Sequence, residues 1–86
     1  MREFNSKDLD ALEFERVRSG LSSGVGGIFL KKIAALPDAD ILCCEFNERG
    51  FNIKFDMDYQ VSLEAIDEFS IDELKNIAEI LLRLVW

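Results

Sequence analysis

The sequence has no histidine among its 86 residues. Histidine is the commonest general base near neutral pH, a frequent zinc ligand and the usual partner of a serine or cysteine nucleophile. The sequence also has no motif that identifies a catalytic site. We therefore expect that the chain is not an enzyme and that it has no catalytic residues, no metal site and no cofactor.

Basic residues are few, with ten lysines and arginines against seventeen acids, which gives a net charge of −7. Phosphate backbones and anionic membranes attract basic surfaces, so we expect no direct nucleic-acid partner and no membrane partner. The excess of acids is uneven along the chain. Residues 1–40 have a net charge of −1 and residues 41–86 have a net charge of −6.

Long apolar runs are absent, and the N-terminus lacks the basic start and apolar stretch of a secretory signal. These absences predict a cytoplasmic protein, and the length fits a single compact domain over residues 1–86. The two cysteines, Cys43 and Cys44, are adjacent. Successive side chains of a strand point to opposite faces, so we expect no ordinary disulfide between them.

Residues 51–63 show the most regular pattern, with apolar side chains at odd positions and polar ones at even positions. One straight strand of this length would span about 45 Å, so the chain must reverse. Apolar residues stay opposite one another only across an odd-numbered loop, most simply residues 58–60. A four-residue loop, residues 47–50 with a positive φ at Gly50, joins the preceding apolar run. The two loops set Phe46 opposite Phe51 and Phe55 opposite Leu63. We predict a three-stranded antiparallel meander of residues 40–46, 51–57 and 61–65.

The last segment has clear signals for a helix. Ser70 is placed to cap it and Glu73 to close a capping box, and apolar residues then recur at helical spacing. These features predict a helix over residues 71–85.

The first half of the chain is less regular. Ser6 is placed to cap a helix over residues 7–18, although residues 12–15 also fit a short strand. Apolar residues before Pro37 predict a second helix over residues 25–36. The predicted fold class is α+β, with the order α-α-β-β-β-α and the helices packed on one face of the meander.

Two segments resemble known binding motifs but lack residues that those motifs require. The glycine-rich segment 19–27 lacks the Gly-Lys-Ser/Thr ending of a phosphate-binding loop. Residues 56–67 resemble a calcium-binding loop in their oxygen-bearing side chains, but Val61 stands where that loop needs glycine.

The remaining signal is an acidic stretch with seven acids and no base between Asp56 and Glu73. The simplest interpretation is a solvated surface that keeps the protein soluble. A sharper interpretation is a docking surface for a basic protein, for which the sequence offers the candidates Asp56, Asp58, Tyr59, Glu64, Asp67 and Glu68.

This interpretation predicts a small acidic cytosolic binding protein that occludes a basic partner. Immunity proteins and antitoxins, which inhibit toxins or nucleic-acid enzymes, have the same physical profile, although no motif links them to this chain. Acidic side chains would stand in for phosphates and steer the encounter, while apolar anchors would slow dissociation.

The alternative is a self-associating structural or assembly subunit with no catalytic activity. The end of the last predicted helix carries Leu82, Leu84 and Trp86, which widen its apolar stripe beyond one face. Under this hypothesis the chain forms a homodimer or a larger assembly through these three residues.

Overall fold

The structure is a computed structural model, and it describes residues 2–56 and 60–85. Its regular elements are four-to-nine-residue strands and two α-helices, with short 3₁₀ segments between them. In chain order they are β1 (Arg2–Asn5), a 3₁₀ helix (Lys7–Ala11), α1 (Phe14–Ser22), a 3₁₀ turn (Val25–Gly27), β2 (Ile28–Leu36), β3 (Ala39–Phe46), β4 (Arg49–Asp56), β5 (Val61–Ala65), α2 (Ile71–Leu82) and a final 3₁₀ turn (Arg83–Val85).

The five strands form one antiparallel sheet in the order β1-β5-β4-β3-β2. The prediction of a three-stranded meander is therefore wrong, although the fold remains mixed α+β. The three predicted strands are present as β3, β4 and β5. They are extended by β2 at one edge and by the N-terminal strand β1 at the other.

In both the β3–β4 pair and the β4–β5 pair, the observed register differs from the predicted one by two residues. Phe51 lies opposite Cys44 rather than Phe46, and Phe55 lies opposite Val61 rather than Leu63. A shift of two residues leaves every side chain on the same face of a sheet, so the apolar side chains still share one face as predicted. The predicted loop 58–60 lies mostly outside the described residues.

The displacement between β3 and β4 has a local cause. Their connection is a two-residue turn in which Asn47 has φ 52° and Glu48 has φ 65°, as the type I′ turns of tight hairpins require. We had expected a four-residue loop with the positive φ at Gly50. The tighter turn lets Phe46 pair with Arg49 and extends both strands.

The predicted helix over residues 25–36 is also wrong, because Ile28–Leu36 forms β2 and pairs with β3. Gly26 and Gly27 have φ values of 61° and 79°, which a right-handed helix does not allow. The apolar residues of a short run fit a strand as well as a helix, and pairing with β3 decides between them.

The predicted helix over residues 7–18 is divided in two. Ser6 accepts a hydrogen bond from the backbone of Asp8, as expected for a cap, but it begins only a 3₁₀ helix. Leu12 and Glu13 are extended, and α1 starts afterwards at Phe14. This break allows Leu9 and Leu12 to be buried together with the apolar side of α1.

The capping box at the start of α2 is confirmed. The Ser70 hydroxyl accepts from the Glu73 backbone N–H at 3.1 Å, and the Glu73 carboxylate accepts from the Ser70 N–H at 2.9 Å. The α-helix ends at Leu82, and residues 83–85 continue as a 3₁₀ turn.

The core lies between the helices and one face of the sheet. Alternate residues of the central strands, including Leu42, Phe51, Ile53 and Leu63, are fully buried against α1 and α2. The opposite face of the sheet carries mainly polar side chains, which are half-buried along the central strands. In residues 2–56 and 60–85, no helix has the length and apolar character needed to cross a membrane.

Candidate partner-docking site

An open pocket of about 710 Å³ lies where β4 begins, β5 ends and α2 starts. Its lining comes from Arg49 and from the segment that links β5 to α2. We call this region the acidic corner and define it as residues 66–73 together with the β3–β4 turn, residues 47–50. It contains five carboxylates, those of Glu48, Asp67, Glu68, Asp72 and Glu73, and one basic side chain.

Backbone hydrogen bonds place the acidic corner at the end of the sheet. The N–H groups of Ile66 and Asp67 both donate to the carbonyl oxygen of Gly50, at 3.0 and 3.1 Å. In return, the Gly50 N–H donates to the Asp67 carboxylate at 2.7 Å. These bonds hold Asp67 beside the first residues of β4 and keep its carboxylate at the rim.

Arg49 is the central link of the corner. Its guanidinium lies 4.5 Å from the centroid of the Phe69 ring and donates to the Glu68 carbonyl oxygen at 2.9 Å. It also forms an ion pair with the Glu73 carboxylate. Arg49 therefore joins β4, the β5–α2 segment and the first turn of α2.

The ion pair changes the acidity of both partners. The hydrogen bond from Arg49 is the main reason that the pKa of Glu73 falls to about 2, and the Ser70 N–H contributes. The same bond to Glu73 raises the pKa of Arg49. Arg49 and Glu73 therefore offset one another at neutral pH, while Asp67, Glu68 and Asp72 remain exposed at the rim.

Two isoleucines flank these exposed acids. The side chains of Ile66 and Ile71 are 55% and 44% exposed, and they are two of five exposed large apolar residues in the described part of the chain. Apolar anchors surrounded by charged residues are typical of protein-binding surfaces. The acidic corner has this arrangement.

Glu48 has a backbone conformation that suits glycine better than glutamate. Its φ of 65° lies in the left-handed region, where a side chain crowds the following carbonyl group. Strained residues of this kind are concentrated at functional sites. The turn thus retains an exposed carboxylate at the cost of local strain.

The candidate residues that the sequence suggested do not all lie in the acidic corner. Asp67 and Glu68 lie in the acidic corner, whereas Glu64 lies on the outer face of the sheet, opposite Glu3 and Asn52. Asp56 ends β4, six residues from Gly50, which is about 20 Å along a strand. Asp58 and Tyr59 lie outside the described residues.

Two of the three residues considered for self-association pack within the chain. Leu82 and Leu84 are half-buried against the core. A Cβ atom added at Gly20 would come within 2.8 Å of the Leu84 side chain, so this leucine fills the space beside α1. Trp86 lies outside the described residues.

Sequence reasoning missed Glu48, Arg49, Ile66 and Ile71 as parts of a site. One signal was available for Ile66. The buried face of β5 carries odd-numbered residues, so an apolar side chain at position 66 is out of phase with that face. No comparable signal marked Arg49, because its partners lie 19 and 24 residues away.

The described part of the chain contains no cluster of three or more side chains suited to hold a metal ion. No protein-family model matches the chain, and neither a curated protein nor a solved structure is significantly similar to it.

Proposed function

We propose that the chain is a binding protein that occludes a basic surface of another protein, in the manner of an immunity protein or antitoxin acting on a toxin or nucleic-acid enzyme. The observation that supports this proposal is the pairing of exposed acids with two exposed isoleucines at the acidic corner. Asp67, Glu68 and Asp72 supply charge, and Ile66 and Ile71 supply apolar contact area.

The two kinds of residue have different kinetic roles. Carboxylates at a rim accelerate the encounter with a positively charged partner, and salt screens this effect. Apolar anchors act mainly after docking, because their burial must be reversed before the complex dissociates. The proposal therefore expects charge variants to change the association rate and isoleucine variants to change the dissociation rate.

The rigidity of the corner favours this use. Hydrogen bonds from Gly50 and Arg49 hold the β5–α2 segment in place before any partner arrives. A preorganised surface loses little conformational freedom on binding, which favours affinity.

The experiment begins with affinity capture from the native host, followed by identification of a stoichiometric partner and kinetic measurements with the purified pair. The test variant combines Asp67→Asn, Glu68→Gln and Asp72→Asn. A matched control combines Glu3→Gln, Glu13→Gln and Glu79→Gln, which removes the same charge from exposed sites elsewhere. We expect the test variant to slow association about tenfold at low salt, with a weaker salt dependence, and the control to change it little.

A second pair of variants tests the anchors. Ile66→Ser and Ile71→Ser should each increase the dissociation rate while the association rate stays near that of the unmodified chain. An acidic partner, or an association rate that the test and control variants lower equally, would contradict the proposal.

A further inference from the structure

The strand β2 lies at the edge of the sheet, and its outer edge pairs with no other strand of residues 2–56 and 60–85. Three large apolar side chains along it, Phe29, Ile33 and Leu36, are 56%, 46% and 48% exposed. Free backbone groups on an edge strand readily pair with another chain. This edge lies away from the acidic corner, because its second half pairs with the start of β3, at the opposite end of the sheet.

Only the first half of β2 carries the features by which proteins protect sheet edges. A bulge interrupts the pairing with β3 between Leu30 and Lys32, and Lys31 within it forms an ion pair with Glu45 at 3.8 Å. Beyond Lys32, residues 33–36 are regular, uncharged and apolar. The second half of the edge is therefore open to strand addition.

We propose that residues 32–36 pair antiparallel with the same residues of a second copy of the chain, which joins two sheets into one. A two-fold axis through Ala34 places Ile33 opposite Ala35 and Lys32 opposite Leu36 of the second copy. The pairing with β3 puts Ile33 and Ala35 on the helix-bearing face, and Lys32, Ala34 and Leu36 on the other. Any register with the axis through a residue sets side chains of the same face opposite one another. The axis through Ala34 pairs all five residues of 32–36, whereas moving it by one residue either way pairs only three of them.

Charge complementarity also favours a second copy. In this register Lys32 lies opposite Leu36, the last β2 residue of the second copy, and Asp38 follows two residues later in the β2–β3 turn. The long lysine side chain can extend toward the carboxylate in this turn, and the two-fold symmetry makes the approach occur twice. Asp38 is exposed in the β2–β3 turn, and neither Lys32 nor Asp38 forms a salt bridge with another of the described residues. The register also keeps the lysines of the two copies apart.

The test is sedimentation equilibrium with charge-reversal variants of the full chain. The unmodified chain should change with concentration from 9.8 kDa toward about twice that mass. Lys32→Glu and Asp38→Lys should each weaken the dimer about tenfold, because each puts like charges across both symmetric contacts. The double variant Lys32→Glu/Asp38→Lys should return the dissociation constant to within about threefold of the original value.

Control variants separate this contact from general charge effects. Lys75→Glu and Glu79→Lys make the same changes in net charge on the exposed side of α2 and should leave the dimer unchanged. Hydrogen exchange adds a direct readout, because amide protection within residues 32–36 should increase with protein concentration. Circular dichroism checks that each variant is folded.

A chain that stays monomeric up to about 1 mM, well above the range of specific association, would overturn the proposal. So would a dimer that both single reversals leave intact, a double reversal that fails to restore it, or a dimer that only Trp86→Asp disrupts. None of these outcomes bears on the acidic corner, whose partner is tested separately.

Discussion

Replacing Glu48 with glycine should stabilise the chain, although it removes a side chain and adds none. The left-handed backbone at φ 65° costs a residue with a Cβ atom roughly 1–2 kcal/mol. Glycine relieves this strain but gives the unfolded chain more conformational freedom, which costs about 0.5–1 kcal/mol. The difference favours the folded state of Glu48→Gly by about 0.5–1 kcal/mol.

The magnitude is measurable in a domain of this size. One kcal/mol shifts the Tm of a small domain by about 4–8 °C, so Glu48→Gly should unfold about 2–8 °C higher. Glu48→Gln is the matched control, because it removes the same charge and retains the strained backbone. We expect its Tm to stay close to that of the unmodified chain.

Thermal and urea unfolding, followed by circular dichroism, compare the three proteins under identical conditions. A Glu48→Gly chain no more stable than Glu48→Gln would contradict this prediction, because the backbone strain would then be absent or compensated. Binding supplies a second comparison. If Glu48 contributes to steering at the acidic corner, both variants should slow association equally, although only one is more stable.

Two further predictions concern titratable groups. The pKa of Glu73 is lowered from 4.5 to about 2, so its carboxylate stabilises the folded state above about pH 4.5, and this stabilisation is lost as the pH falls toward 2. Measured by urea unfolding across this range, the stability of Glu73→Gln should therefore fall less steeply with pH than that of the unmodified chain. Equal slopes would contradict the prediction. Burial raises the pKa of Cys44 to about 12, while Cys43 is only half-buried. A thiol reagent at pH 8 should therefore label Cys43 about a hundredfold faster than Cys44, or more. Cys43→Ser should remove the fast phase, and a fast phase that persists in this variant would show that Cys44 is accessible.

Local signals predicted the elements that depend on neighbouring residues. The alternation in residues 51–63 identified β4 and β5, and Ser70 with Glu73 identified the start of α2. Even where the strand pairing was displaced, the period of two preserved the apolar face. Ser6 was also identified as a cap, although the segment that follows is a 3₁₀ helix.

The errors occurred where distant partners decide the structure. The segment Ile28–Leu36 has apolar residues that fit either a helix or a strand, and it becomes β2 because β3 is available to pair with it. The strand β1 is only four residues long and shows no usable pattern, so its place beside β5 was not predicted.

The candidate site shows the same division. The sequence determined that acids are concentrated after residue 40 and that Asp67 and Glu68 belong to that stretch. Only the tertiary structure separated Asp56 from them, placed Arg49 between Phe69 and Glu73, and exposed Ile66 and Ile71 beside the remaining acids. Charge and periodicity are properties of neighbouring residues and can be read along the chain. The composition of a surface depends on which segments the sheet brings together. In this chain, strand pairing over long sequence separations determines which segments those are.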